Sequence, residues 1–476
     1  MGSGTADRGS PGMKITALAA GFVMASVDAT VMQIAGATVQ RRLHGTLSQL
    51  TWAVDGYVLM FAALLMLAGG LAGRAGARTV YQWGMAVFFL ASLASALAPT
   101  IETLIAARLA QGVGAALFMP SSLALLVHAF PDSRDRTRAV GLWSAVVSSA
   151  IALGPTVGGV MVDAFGWRSI FLINLPLGLA GMALTRRYIA AVPGRRAPLA
   201  VSGHAALVLG LAALSFALIE GPHRGWGSGP VLVSIALALA VAALLPFRER
   251  RARTTVMPWG LFREPRFAGA NAIGFLFNGA LYGTLFLVGL YFQRAGGAGP
   301  LRAGLQILPL TLFIPLSNIV FTRLSARVAN GPLLVTALLA AAAAAPALAF
   351  AAPGGAYWPT AVLLAASGIA GGITSPAMTA ALVDSAGPRH GDVAGSVLNA
   401  NRQIGTLVGI AVVGAVLGGI HDWTIGVRVA FLLIGAAYLA GALAAWRLIS
   451  RPERAAPAPS TPHPATREDV KNPARP

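Results

Sequence analysis

Residues Ala139 to Asp163 read AVGLWSAVVSSAIALGPTVGGVMVD, a stretch long enough to cross a bilayer with no charge before its final Asp. Its second half holds Ala150, Gly154, Pro155, Gly158 and Gly159. Small residues at four-residue spacing leave a nearly side-chain-free strip on one helix face, where another helix can approach backbone to backbone. Pro155 removes a backbone donor, so the helix is expected to bend there. Small-residue strips also serve ordinary packing between membrane helices. A proline set among the glycines describes something narrower, a helix that packs closely and bends at a fixed place. The expectation is a contact surface and hinge in a moving membrane protein.

Composition agrees with a membrane setting. Of 476 residues, 56% are hydrophobic and 11% charged, against roughly a quarter charged in soluble chains; mean hydropathy is +0.71. The apolar runs are continuous rather than alternating, which indicates helices and not a barrel. The chain has no Cys, which excludes disulfides, thiolate metal sites and cysteine nucleophiles. Its net charge of +19 comes mostly from short loops between apolar spans, so nucleic acid is not an expected partner. The first apolar run, from about Ile15, outlasts a signal peptide and lacks a cleavage site.

Fourteen apolar spans follow, six between Ile15 and Ala190, two weaker ones between Gly203 and Phe247, and six between Phe267 and Ile449. Each is near the ~20 residues that a bilayer core requires. With the N-terminus on one side, 26 of the 35 Lys and Arg fall on that side, seven on the other, and Arg108 and Arg402 inside spans. This basic side is the expected cytoplasmic one, with both termini on it. The expected location is a plasma (inner) membrane.

The chain also repeats itself. Pro120 answers to Pro376, Gly141 to Gly395 and Arg74 to Arg327, at offsets of 256, 254 and 253 residues. An even number of spans per copy makes the repeat parallel, with a substrate site expected between the copies near mid-membrane. The expected units are therefore residues 15–190 and 267–449, two six-helix bundles, with two inserted helices and a basic loop over 191–266. Tails at 1–14 and 450–476 are Pro-, Ser- and charge-rich and expected to be disordered. The inserted spans carry little besides Glu220 and His223 and are expected to be peripheral.

Charges inside spans are functional candidates because inserting them is costly. Asp28 shares a wheel face with Gly21, Met24, Met32 and Ala35, while Ser26, Thr30 and Gln33 lie opposite, so it is expected to look onto a cavity. Desolvation there would raise its pKa toward proton exchange. Arg108 and Asp55 lie at similar depth, away from the basic side. Asp28 and Arg108 form either a mobile, proton-sensitive pair or a static bridge between helices, and Asp55 either joins them or sits at the water interface. In the second copy, Asn399, Asn401, Arg402 and Gln403 cluster in one span, and Asn271 and Asn278 share a face of another. These line a path or bind across helices. Met24, Trp52, Tyr57 and Tyr282 are further candidates to line a substrate path, though aromatics also serve packing and interfacial anchoring. The seven His show no metal spacing, no GxxxxGK[ST] nucleotide loop is present, and no constellation suggests an enzyme.

At these residues the chain resembles a known family. LAQGVGAALFMP after Arg108, GPTVGG at 154–159, GWRSIFLINLPLG at 166–178 and NRQIGTLVGIAV at 401–412 are similar to motifs of the major facilitator superfamily, most closely its fourteen-span drug:proton antiporters. Asp28 and Thr30 match that group's first-span Asp-x-Thr, Arg108 its fourth-span arginine, and GPTVGG its antiporter motif. The resemblance implies proton-coupled export of small hydrophobic compounds (drugs, antibiotics or secondary metabolites) by alternating access, with protons as coupling ion, no cofactor and no obligatory protein partner. A facilitator or proton symporter for a sugar or organic anion shares the fold and is the alternative. Departures exist. The gating loop of Arg74, Gly76 and Arg78 reads GGLAGRAGAR, with Gly73 where the family has Asp, which implies a weakened latch between the halves. Gln33 and Ala37 replace the first-span Asn and Pro.

Overall fold

A computed structural model describes residues 10–191, 193–194, 200–252, 255–351, 356–387 and 391–450. Among them are fourteen helices long and apolar enough to span a membrane, and no strand. The first six are α1 (Pro11–Arg42), α2 (Leu47–Ala75), α3 (Ala77–Leu97), α4 (Ile101–Ala129), α5 (Ser133–Phe165) and α6 (Ser169–Tyr188). Two inserted helices follow, α7 (Val201–Arg224) and α8 (Gly229–Arg250). The last six are α9 (Pro265–Arg294), α10 (Pro300–Leu324), α11 (Asn330–Ala351), α12 (Tyr357–Ala386), α13 (Gly391–Gly419) and α14 (Trp423–Ile449).

Helix starts follow local chemistry. Ser10 caps α1, its Oγ accepting from Met13 N, and Pro11 occupies the first turn. The helix therefore begins inside the expected disordered segment 1–14, because capping extends it beyond the apolar run. Residues 1–9 and 451–476, the rest of the expected tails, lie outside the described residues. Thr46 with Gln49 forms a capping box at α2. Asp132 caps α5, and the backbone N–H groups of Asp135 and Arg134 hold its carboxyl below the usual range. Gly76, at φ 90°, alone separates α2 from α3, a backbone state other residues enter at a cost.

Packing repeats as the sequence does. In the first six helices α1 packs on α4, α5 and α6, α4 on α2 and α3, and α3 on α6. The last six show the same pairs eight helices on: α9 on α12, α13 and α14, α12 on α10 and α11, and α11 on α14. Two six-helix bundles result. They meet where α5 packs on α10, α2 on α13, and α1 on α9 and α10.

The meeting lies on the half away from the basic side. There Val31, Met32, Ile34, Leu50 and Val54 share one hydrophobic core with the second bundle, and Gln293 Nε2 donates to Ile34 O at 2.6 Å. On the basic half, a Cβ added at Gly69, Gly73, Gly141 or Gly395 would meet no atom of another segment within 4 Å. In α5, Gly141, Leu142, Ser144, Ala145, Val146, Ser149 and Leu153 are exposed, covering more than half of the helix circumference at 100° per residue. The contact of α5 with α10 lies toward the other end of α5, at Pro155 and Gly159.

The inserted helices differ from each other. α8 packs on α7 and is mostly exposed, as expected of a peripheral element. α7 instead packs on both α2 and α13, one helix from each bundle. Ser48 Oγ and Trp52 Nε1 donate to Glu220 Oε1 at 2.8 and 3.1 Å, and Arg224 Nε to Glu220 Oε2 at 2.9 Å. Ser48 and Trp52 thus tie α7 to α2 through Glu220, while Arg224 holds the carboxylate from within α7.

Candidate functional site

Asp28 sits midway along α1 and is 4% exposed; Arg108 of α4 is 1% exposed. Arg108 Nη1 donates to Asp28 Oδ2 in a close ion pair and to Gln111 Oε1 at 3.0 Å. Its Nε donates to Ala53 O of α2 at 3.0 Å, and its guanidinium lies 4.6 Å from the Tyr57 ring centre. The other carboxylate oxygen, Asp28 Oδ1, accepts from Gln111 Nε2 and Asn174 Nδ2, both at 3.3 Å. Those two amides converge again on Ser92 Oγ, at 2.8 and 3.3 Å. Asp28 thus faces a closed polar cluster drawn from α3, α4 and α6, not the cavity that the wheel of α1 suggested. A wheel shows one helix, and the apolar face it revealed packs on neighbours that carry the polar groups. Gln111 and Asn174 were missed. Gln111 lies one turn after Arg108, a signal that was legible; Asn174, inside INLPLG, became meaningful only once α6 was placed.

Asp55 joins no pair. It is fully buried, and neither carboxylate oxygen has a partner among the described residues. On α2, Thr51 meets Gly414 of α13, while Ser48 and Trp52 face Glu220 and Phe216 of α7. By helical spacing Asp55 falls between those two faces, where α2, α7 and α13 converge. The alternatives of pairing with Arg108 or standing at the water interface are both set aside.

The glycine strip of α5 divides between two neighbours. A Cβ at Gly154 would collide with Thr30 of α1, and one at Gly158 would lie 2.6 Å from Val31 Cγ1; both contacts are within the first bundle. A Cβ at Gly159 would lie 2.7 Å from Pro300 O of α10, and one at Gly304 of α10 would lie 2.6 Å from Pro155 O. Of the four α5 residues, Pro155 and Gly159 belong to the surface between bundles, where Thr156 also touches Gly304. The expectation of one interface strip fails because the pairs Gly154/Gly158 and Pro155/Gly159 are offset by one residue, about 100° around the helix, so each pair serves its own partner.

Other candidates separate similarly. Met24 is fully buried, its Cε close to Gly178 of α6, so it packs the first bundle and lines no path. Trp52 belongs to the α7 seam, and Tyr57, buried against the Arg108 guanidinium, lines no path either. Asn278 donates to Gly274 O of its own helix at 2.9 Å and is buried, which also removes it from the path. Arg78 Nη2 donates to Arg186 O at 2.6 Å, closing the end of α6 in the same bundle, while Arg74 is exposed. Among the described residues, the side chains of Arg74 and Arg78 make no hydrogen bond or ion pair to the second bundle. Tyr282 is partly exposed and stands within electrostatic range of both Tyr57 and Arg402. Asn399, Arg402 and Gln403 are partly exposed on one face of α13. No metal cluster occurs among the described residues.

Comparison with known proteins places this geometry. The profile for the Major Facilitator Superfamily matches residues 17–410. The chain is 62% identical over 443 residues to the methylenomycin A resistance protein of Streptomyces coelicolor, covering 93% of each chain. It is 44% identical over 434 residues to the methylenomycin A resistance protein of Bacillus subtilis, covering 91% of this chain and 93% of that one. With the tetracenomycin C resistance and export protein of Streptomyces glaucescens it shares 33% identity over 430 residues, covering 86% and 76%. In fold it is similar to an auto-inhibited POT family peptide transporter seen by crystallography, with a TM-score of 0.66 at 15% identity, covering 93% of this chain and 98% of that one. A family profile over most of the length, and antibiotic-resistance relatives over nearly all of it, decide the matter: the chain belongs to the Major Facilitator Superfamily, among its drug-efflux transporters.

Proposed function

We propose that the protein is a proton-coupled antiporter that exports small hydrophobic antibiotics or related secondary metabolites, methylenomycin A among them, from the cytoplasm across the plasma membrane by alternating access. The basic side is then cytoplasmic, both termini lie on it, and the captured state is open inward. Residues 15–190 and 267–449 are the two moving units, with 191–266 between them. The observation that carries this reading is the buried Asp28–Arg108 pair between α1 and α4, since α1 also touches α9 and α10 of the second bundle.

The coupling follows from that placement. Ionised Asp28 holds Arg108, Gln111 and Asn174 together through charge-assisted hydrogen bonds. A proton on Asp28 removes the charge that draws Arg108, which keeps its bonds to Ala53 and Gln111 and its place over Tyr57. With the pair loosened, α1 is free to shift against α4, and its far half carries the shift to the second bundle. Asp55 is the second proton-coupling residue. Buried without a partner at the seam, a carboxyl there is best tolerated neutral, and opening the seam lets it ionise. One proton moving through ~100 mV supplies roughly 2.3 kcal/mol, about a fifty-fold gradient.

Inverted membrane vesicles holding a preset proton gradient test this. Addition of methylenomycin A should dissipate the gradient with the wild-type protein and leave it intact with Asp28→Asn, inserted at equal level. An Asp28→Asn variant that dissipates the gradient like wild type would remove the carboxylate from the mechanism.

A further inference from the structure

Arg402 is a cation without an anion. Across the last six helices the only carboxylates stand near ends facing the basic side, Glu264 before α9, Asp384 near the end of α12 and Asp392 at the start of α13, apart from Asp422 capping α14 on the other side. Ten residues along a helix, the distance from Asp392 to Arg402, is about 15 Å. The guanidinium makes no hydrogen bond and no ion pair among the described residues, and its buried Nε has no acceptor. This contrasts with Arg108, which spends its donors on Asp28, Gln111 and Ala53.

The position is built to hold such a group. Gly274 of α9 lies against the Arg402 stem; a Cβ there would sit 3.3 Å from Arg402 Cγ and 2.8 Å from Leu398 Cδ1. The stem is thus laid across α9 where a side chain is missing. With Cγ packed and Nε buried, the exposure that Arg402 retains belongs to the end of the fork. Asn399 and Gln403 flank it on the same face, partly exposed and without hydrogen bonds among the described residues. Tyr282 is within its electrostatic range, and Tyr57 within that of Tyr282. A line of groups runs from the lone cation to the aromatic cover of the Asp28–Arg108 pair.

We propose that Arg402 anchors an anionic group of the exported compound, a carboxylate or similarly charged planar group, with Asn399 and Gln403 as flanking amides and the compound's apolar body toward the partly exposed Tyr282. An unpaired intramembrane charge is costly, and a guanidinium fork matches a carboxylate in two parallel hydrogen bonds. The substrate supplies the counter-ion that the chain omits. This rests on the reading of the inter-bundle cleft as the substrate path and adds a charge class to it.

The absence of native Cys makes the test direct. Asn399→Cys in purified full-length protein is modified with two methanethiosulfonates, one bearing a sulfonate and one a trimethylammonium group. With rates normalised to those of a free thiol, a unit charge about 6 Å from the reacting sulfur should favour the anionic over the cationic reagent about tenfold. The preference should fall to about one with Arg402→Gln and return with Arg402→Lys. Benzoate should slow the modification, and benzamide, its neutral isostere, should not. Both results are required: no anionic preference dependent on Arg402, or equal effects of benzoate and benzamide, overturns the proposal. Labelling needs neither a proton gradient nor transport, so its failure is distinct from failure of the vesicle assay.

Discussion

Replacing Gly159 by Ala should move the transporter between its states without unfolding it. The added Cβ would stand 2.7 Å from Pro300 O and 3.0 Å from Leu301 Cα, both backbone atoms of α10. Ordinary contact begins at about 3.4 Å, so α5 and α10 must part there by roughly 0.7 Å, at a cost of the order of 1–3 kcal/mol for overpacking. That cost falls only on the state in which the two bundles touch at this point. It is comparable to the few kcal/mol separating transporter conformers, and corresponds to a shift of about five- to 150-fold. Gly158→Ala is the control, since its new Cβ meets Val31 within the first bundle and should cost stability in both states. Single cysteines in the Cys-free chain report the shift. Ala37→Cys, 2% exposed beside the seal, should react at least fivefold faster with a maleimide in the Gly159→Ala background, and exposed Gly395→Cys more slowly. Equal labelling of Gly159→Ala and its parent, or equal shifts for Gly159→Ala and Gly158→Ala, would refute the assignment of the seal to Pro155, Gly159 and α10.

Three further outcomes are expected. Arg108→Lys keeps a charge near Asp28 but loses the fork that also reaches Ala53 and Gln111, so proton-driven efflux in vesicles should fall by about tenfold or more while expression is kept. Asp55→Asn preserves volume and neutrality in the sealed seam; thermal stability should change by less than about 1 kcal/mol, and the protons released per substrate should drop, as read by a pH-sensitive dye in lightly buffered vesicles. Glu220→Gln weakens the bonds from Ser48, Trp52 and Arg224; since Arg224 is half-exposed, the loss in stability should be modest, about 1 kcal/mol, and thiol labelling of Thr51→Cys at the α2–α13 contact should quicken.

What the chain disclosed of itself depended on whether the signal was carried by one helix or by several. Span number and the repeat were legible because apolar length and matched Gly, Pro and Arg positions are properties of single segments. Asp28 and Arg108 stood out for the same reason, as charges where charge is costly. Gln111, Ser92 and Asn174 did not, because polar residues in a span acquire meaning only from the carboxylate they converge on. Gly154 and Gly159 look alike in sequence and differ only by 140° or so around α5, which is enough to give one to α1 and the other to α10. Trp52 and Glu220, 168 residues apart, could not be joined before α7 was placed on the seam.

The two bundles treat charge in opposite ways, and transport should register it electrically. In the first, Asp28 and Arg108 cancel within a sealed cluster; in the second, Arg402 waits for an anion. If one anion leaves for each proton entering, two elementary charges cross the membrane per cycle. At ~100 mV that is roughly 4.6 kcal/mol, so the fifty-fold gradient supported by one charge becomes about two-thousandfold. Proteoliposomes clamped with potassium and valinomycin separate the cases. With an anionic substrate, efflux at fixed pH gradient should steepen with the square of the one-charge dependence. With a neutral substrate and the same proton stoichiometry, the voltage dependence should be that of one charge alone. Identical voltage dependence for a carboxylate substrate and its methyl ester, both transported, would mean that the anion does not cross as such, and that Arg402 releases its proton-neutralised form or does not bind it.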